Sequence, residues 1–206
     1  MNISDVIAAY DNSAEEYAKN QQAKIPKQEL DSFLNLLKPN SKVLDAGCGS
    51  GRDSRIIKDR GFDATGSDLS KGLLAIAKRE NPDIPFILAD IRKVPSKDGS
   101  FDAIWANAVL HHLDKPQMSD AVAEFKRLLV AGGIVCVRTK QGEGNLKTRE
   151  AMVSNEAREF TLLEPKELDT LLAQGGFEKI DLQTKESRSR PGLFWLTALY
   201  RKTGNN

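Results

Sequence analysis

Three carboxylates at the ends of short expected strands, and one glycine loop, are the residues in this chain with the clearest capacity for chemistry. The loop reads Asp45-Ala46-Gly47-Cys48-Gly49-Ser50-Gly51-Arg52. Glycines let a backbone turn sharply and approach a ligand without a Cβ in between. A helix beginning just after such a loop offers unpaired N–H groups. The dinucleotide fingerprint G-x-G-x-x-G needs a third small residue where this chain has Arg52. Asp45, two residues before the first glycine, would repel a pyrophosphate and suits a ligand with an ammonium group. Asp68 closes a second such strand and can accept hydrogen bonds from both hydroxyls of a ribose. Asp90-Ile91 closes a third and fits an adenine, the carboxylate taking the exocyclic amine and the isoleucine packing on the ring. S-adenosylmethionine has an ammonium, a sulfonium, a ribose and an adenine, and no phosphate.

The elements that must position these residues alternate between two periods. Residues 4–37 read as helical, with Tyr10, Ala14 and Tyr17, then Leu30, Phe33, Leu34 and Leu37, at helical spacing, and a stop at Pro39-Asn40. Strands are expected at 42–46, 63–68, 85–90, 101–109, 134–139, 177–184 and 193–200. Helices are expected from Arg52 to Arg60, from the N-cap Ser70, from Asp114-Lys115-Pro116 to the pair Gly132-Gly133, and from Pro165 to Gly175-Gly176. Five strands alternating with helices imply a parallel sheet, and in such sheets the ligand sits beyond the strands' carboxyl ends. Residues 140–163 have no clean period and follow the fifth strand on that side, so we expect a substrate-contact segment or lid there.

A chain of 206 residues fits one α/β domain, 1–206, with residues 1–40 as a helical cover. Lys and Arg total 30 against 29 Asp and Glu, so no global charge draws the chain to nucleic acid or to an anionic membrane. No apolar run approaches the ~18 residues of a membrane helix. The start lacks the basic and apolar regions of a signal peptide, and Cys48 and Cys136 sit inside apolar runs as core residues would, so a cytoplasmic location is expected.

The stretch VLDAGCGSGRDS resembles motif I of the class I S-adenosylmethionine-dependent methyltransferases, followed in the family's order by GSDLS, ADI, FDAIWANAVLHHL and GGIVCVRTK. YDNSAEEYA is similar to the family's cofactor-covering helix, and the likeness covers roughly residues 10–200. It implies a Rossmann-like α/β three-layer sandwich whose seven-stranded, mostly parallel sheet has an antiparallel last strand. It also implies S-adenosyl-L-methionine as cofactor, with methyl transfer to a small-molecule acceptor by in-line displacement. By matching positions, Asp45, Gly47, Gly49 and Gly51 would surround the methionine part. Asp68 and Leu69 would hold the ribose and the adenine edge, Asp90 and Ile91 the adenine, and Asn107 and Ala108 would touch the cofactor near its sulfur. Tyr10 and Tyr17 either close over the cofactor or pack an amphipathic helix onto the domain.

His111 and His112 are the two histidines, and both follow the fourth strand. His112 matches a histidine of relatives with Leu-Glu-His here and is the candidate catalytic base or acceptor contact; the alternative is that the pair shapes the loop. Relatives that use a metal carry Glu-x-x-Glu-His where this chain reads Asn107-Ala108-Val109-Leu110-His111-His112, so no metal site is expected. The Asn-Pro-Pro-Tyr, Asp-Pro-Pro-Tyr and Pro-Cys signatures of nucleic-acid methylation are absent, so no nucleic-acid partner is expected. Arg138, Arg188 and Arg190 would face an anionic group on the acceptor; the alternative is that the last two are solvated and Arg138 pairs with a nearby acid. Two other readings stand beside the enzyme: a cofactor-binding regulatory protein without transfer, and an NAD-dependent oxidoreductase, which Arg52 and Asp45 oppose.

Overall fold

A computed structural model describes residues 3–21, 25–149, 157–187 and 190–204. The elements run α1 (Ile3–Asn12), α2 (Ala14–Gln21), α3 (Lys27–Leu34), β1 (Lys42–Ala46), α4 (Arg52–Asp59), β2 (Asp63–Asp68), α5 (Lys71–Glu80), β3 (Phe86–Leu88) and β4 (Phe101–Asn107). After a 3-10 turn (Leu110–His112) come α6 (Lys115–Leu128), β5 (Leu129–Lys140), β6 (Asn145–Arg149), β7 (Ala157–Thr161), α7 (Pro165–Gln174), β8 (Phe177–Ser187) and β9 (Arg190–Lys202). Seven strands form one sheet in the order β3-β2-β1-β4-β5-β9-β8. The pairs among β1 to β5 are parallel, and β9 runs antiparallel to both of its neighbours. Among the described residues no helix is long and apolar enough to cross a membrane.

Alternation along the central strands builds two cores. Val43, Ala103, Trp105, Ile134 and Cys136 face one side, where Leu30 and Phe33 of α3, Ile57 of α4 and Leu74 of α5 cover them. Leu44, Ile104, Ala106, Val135 and Val137 face the other, against Met118, Val122 and Phe125 of α6 and Leu168 and Leu172 of α7. Strands buried on both faces are what a parallel sheet needs. Helices α1 and α2 lie outside this frame, packing Ala14 and Ala18 on Leu73 and Ile76 of α5.

Local chemistry explains most boundaries. Ser70 caps α5 by accepting from Leu73 N–H at 3.0 Å. Asp114 opens α6 with a reciprocal capping box to Gln117. Several expectations differ from the structure: the strands expected at 85–90 and 101–109 are shorter, Phe86–Leu88 and Phe101–Asn107, and the strand expected at 134–139 runs Leu129–Lys140. Residues 4–37 break into three helices. Helix α6 ends at Leu128 rather than at Gly132-Gly133, because Leu129 already pairs with Phe101. The register then slips until Ile134 meets Ala103, and the two glycines carry that bulge: Gly132 has φ of 72°, and a Cβ on Gly133 would lie 2.9 Å from the Asp102 carbonyl. Within 140–163, β6 and β7 pair as an antiparallel ribbon. Its buried residues include the sequence neighbours Phe160 and Thr161, which fits neither a helical nor an alternating pattern. The strands expected at 177–184 and 193–200 extend to Ser187 and back from Arg190.

The β2–β3 edge offers a test of packing. A Cβ on Gly66 would lie 2.5 Å from Phe86 Cδ1 and 2.9 Å from Cys48 Sγ. Overpacking of this kind costs about 1–3 kcal/mol. The expected outcome is that Gly66→Ala lowers the unfolding free energy read from urea denaturation by that amount and that Phe86→Leu in the same chain restores part of the loss. Equal loss with and without Phe86→Leu would show that this contact is not what excludes the methyl group.

Candidate active site

The order of the sheet reverses between β1 and β4, so the loops after these strands part and leave a crevice at their carboxyl ends. The glycine loop forms its floor. Gly47 and Cys48 donate to the Ser67 carbonyl at 2.8 and 2.9 Å, fastening the loop to β2. Gly47 has φ of 75°, and a Cβ there would lie 2.5 Å from Val109 Cγ2, so only glycine fits. Gly49 N–H donates to Asp68 Oδ2 at 2.8 Å, and Ser70 N–H to Asp68 Oδ1 at 2.8 Å. Burial raises the Asp68 pKa above the ordinary carboxylate value against these hydrogen bonds.

A buried polar network lies between the sheet and α4. Residues 45, 105, 107 and 138 share the face of their strands that looks toward α4, by the same alternation that builds the cores. Asp53, in the first turn of α4, accepts from Arg52 Nε at 2.7 Å, Trp105 Nε1 at 3.0 Å and Asn107 Nδ2 at 2.9 Å. Asn107 Oδ1 in turn accepts from Arg138 Nη1 at 3.2 Å, and Arg52 Nη1 donates to the Gln21 carbonyl of α2 at 2.8 Å. Burial opposes ionisation of Asp53, but the Arg52 guanidinium and its other donors hold its pKa below the ordinary value. Asp45 is 2% exposed and accepts from Ser54 Oγ at 2.6 Å. Burial, and then the Asp53 charge, push its pKa up to about 8. Of two neighbouring carboxyls, the one with the charged and aromatic donors stays ionised and the other takes the proton.

The cleft brings together Asp45, Gly47, Gly49, Asp68, Leu69, Asp90, Ile91, Asn107, Ala108 and His112. Gly51 is set apart from these. It precedes α4 with φ of 82°, and a Cβ there would lie 2.9 Å from Phe86 Cζ, so its place is in packing behind the loop. Asp90 holds Arg92 through Nη2 at 2.5 Å and Nε at 3.0 Å, which draws its pKa down against partial burial. Ala108 has φ of 60° and donates to the Arg138 carbonyl at 2.8 Å. The Tyr10 hydroxyl lies 3.1 Å from His112 Nε2, and the Tyr10 and Tyr17 rings meet edge to face at 5.0 Å. Both tyrosines line the cleft, and both also pack against the α2–α5 contact. Asp11 of α1 ties that helix to the start of α5 by accepting from Ser70 Oγ at 2.5 Å and Gly72 N–H at 2.8 Å.

A second, wider cleft of about 620 Å³ adjoins the first and shares Tyr10, Tyr17, Asn107 and Ala108 with it. His111, 2% exposed, lies at its inner end with Nδ1 3.4 Å from Thr139 Oγ1. Phe160 of β7 packs on both histidines at ring distances of 5.0 and 5.3 Å. Arg138 reaches this cleft and stacks 4.0 Å over the Trp195 ring. Arg190 lines it as well, and Arg188 falls outside the described residues.

The model of a methyltransferase domain matches residues 44–137, which span the glycine loop through β5. A malonyl-[acyl-carrier protein] O-methyltransferase of Enterobacter lignolyticus is 32% identical over 148 residues, covering 71% of this chain and 57% of that protein. The chain belongs to the class I S-adenosylmethionine-dependent methyltransferase family. A demethylmenaquinone methyltransferase of Renibacterium salmoninarum is 37% identical over 99 residues, covering 48% of this chain and 41% of that protein. The chain thus spans well under two thirds of the length of the curated relatives it matches. Among solved structures, the 1,6-didemethyltoxoflavin-N1-methyltransferase of Burkholderia thailandensis, with S-adenosylhomocysteine bound, has the same fold. It superposes with a TM-score of 0.77 at 22% identity, over 98% of this chain and 87% of that one.

In this methyltransferase-family chain, sequence reasoning missed Asp53, Phe160 and Trp195. Asp53 follows Arg52 in a first helical turn, where an acid is ordinary. Phe160 and Trp195 come to the site only through strand pairing across long separations.

The proton on Asp45 has a measurable consequence. Between its unfolded value near 3.8 and its folded value of about 8, the folded chain keeps a proton that the unfolded chain has lost. Stability from this group therefore falls as pH rises through that window. The expected outcome is that Asp45→Asn removes a negative slope of up to about 1.4 kcal/mol per pH unit, read from urea unfolding at about pH 5.5, 6.5 and 7.5. Identical slopes in wild type and variant would place the proton elsewhere.

Proposed function

We propose that this chain binds S-adenosyl-L-methionine and catalyses methyl transfer from it to a small-molecule acceptor. The observation that carries the reading is the charge of the first cleft. Asp53, Asp68 and Asp90 line it as carboxylates and Asp45 as a protonated carboxyl; Arg52 is committed to Asp53 and Arg92 to Asp90, and Asp68 has no ion pair among the described residues. Such a cleft favours a ligand with positive charge and opposes a pyrophosphate. Glycine backbone at 47 and 49 leaves room for close approach, so the residues present fit this cofactor. Asp45 would face its ammonium, Asp68 and Leu69 its ribose and adenine edge, Asp90 and Ile91 its adenine, and Asn107 and Ala108 the region of its sulfur. When bound, it supplies an electrophilic methyl group on a sulfonium that leaves as a neutral thioether.

The chain's own task is to align and to exclude water. Tyr10 and Tyr17 cover the cleft from α1 and α2. The acceptor enters from the second cleft, where it meets the first at Asn107-Ala108. His112 is the candidate base or acceptor contact, with the Tyr10 hydroxyl orienting its ring; a base is needed only when the nucleophile carries a proton at neutral pH. Residues 1–40 act as the cover and 140–163, of which 150–156 lie outside the described residues, as a lid or substrate-contact segment, within one domain, 1–206. A cytosolic location is part of the same proposal. The curated relatives are named for a malonyl group on an acyl carrier protein and for demethylmenaquinone.

Titration calorimetry with S-adenosylmethionine tests the assignment of Asp68. Its carboxylate orders the loop through Gly49 and Ser70 and keeps lone pairs for hydroxyls. The expected outcome is that Asp68→Ala weakens binding by about 1.5–3 kcal/mol and that Asp68→Asn, which retains an acceptor, weakens it less. Wild-type affinity in the alanine variant would remove Asp68 from the site. Release of S-adenosylhomocysteine in the presence of an acceptor separates the enzyme from a protein that binds without transfer.

A further inference from the structure

The second cleft has its own chemistry. Among the described residues that line it, six are Lys or Arg and three are Asp or Glu, so the wall is cationic beside an anionic cofactor cleft. Most of these charges are matched within the chain. Lys27 pairs with Asp31, Arg52 with Asp53, and Lys185 with Glu29. Arg138 differs. It makes no ion pair with any described residue, and its Nε is buried without a hydrogen-bond partner. Its Nη1 donates to the Asn107 amide, a neutral group, and its flat face lies on Trp195. Burial draws its pKa down to about 10, so it remains charged at neutral pH. The register of β5 and β9 sets Arg138 opposite Thr197 and Lys140 opposite Trp195, on the same face of the sheet. Lys140 is 3% exposed, with Nζ 3.1 Å over the Phe160 ring. Two basic side chains are thus held against aromatic rings at the junction of the clefts.

A guanidinium fixed in plane by an aromatic ring presents its edge, and that edge matches a carboxylate or phosphate. A partly buried cation with no direct ion pair, its nearest carboxylates Glu29 and Asp53 being engaged by Lys185 and Arg52, can take an anion arriving from solvent as its partner. On the reading of the second cleft as the acceptor's, we propose that the acceptor is an organic anion whose carboxylate or phosphate is bound by Arg138, with its apolar body against Trp195 and Phe160.

Binding to the full chain saturated with S-adenosylhomocysteine tests this. The probes are matched pairs: benzoate with benzamide, indole-3-acetate with indole-3-acetamide, and phenyl phosphate with phenol. The chain has two tryptophans; Trp105 is fully buried in the core, which leaves Trp195 to report on the cleft by fluorescence. Saturation-transfer NMR gives a second readout. The expected result is that at least one anion binds about tenfold or more tighter than its neutral partner. Arg138→Gln is expected to abolish that preference and Arg138→Lys to keep part of it, anion and neutral partner being compared on each variant once it is saturated with S-adenosylhomocysteine. The comparison of anion with neutral partner on wild type needs no variant to fold. No preference for the anion in any pair, no binding of any probe, or a preference retained in Arg138→Gln would overturn the inference while leaving the cofactor reading intact. Failure to bind S-adenosylhomocysteine would overturn that reading and this inference with it.

Discussion

The Asp53 carboxylate is 5% exposed, too buried for water to solvate its charge, so the chain must surround it with donors. It does so with Arg52 from its own helix and with Trp105 and Asn107 from β4. Removing one partner of a buried charged pair costs about 3–5 kcal/mol, far more than an exposed pair is worth. That constraint fixes α4 against the sheet, and with it the glycine loop that leads into α4. It also holds Asn107 in one orientation, because the amide gives its N–H to Asp53 and its oxygen to Arg138. Through Arg52 it reaches the Gln21 carbonyl, so α2 is tied to the same centre.

The distribution of charge follows from this centre. Asp53 keeps its negative charge, Asp45 takes a proton, and the cofactor cleft is left with carboxylates and a neutralised guanidinium. Beyond Asn107 the sign changes, and Arg138 faces the neighbouring cleft without an ion pair among the described residues. A ligand bearing an ammonium and a sulfonium and a ligand bearing a carboxylate would each find a complementary wall, and the two would meet at Asn107-Ala108.

Much of this was legible in the sequence because parallel α/β folds write function at strand ends. The acids at or just beyond strand ends, Asp45, Asp68 and Asp90, could be read directly, and the sheet order then brought those ends together. Capping residues such as Ser70 and Asp114 marked helix starts correctly. What could not be read depended on partners remote in the chain. Gly51 has the same spacing as its neighbours, yet it packs behind the loop against Phe86. The pair Gly132-Gly133 looks like a helix stop and is a bulge, since Leu129 is claimed by the sheet. Phe160 reaches His111 and His112 from a ribbon whose burial fits neither period, and Trp195 reaches Arg138 across an antiparallel pairing.

The central claim is that an acid-lined crevice at the β1–β4 reversal selects a cationic nucleoside ligand over a dinucleotide. Side-by-side calorimetric titration of the wild-type chain with S-adenosylmethionine and with NAD tests it most directly. Saturable one-to-one binding of S-adenosylmethionine, with no detectable heat from NAD, is the expected result. Binding of NAD without S-adenosylmethionine would contradict it.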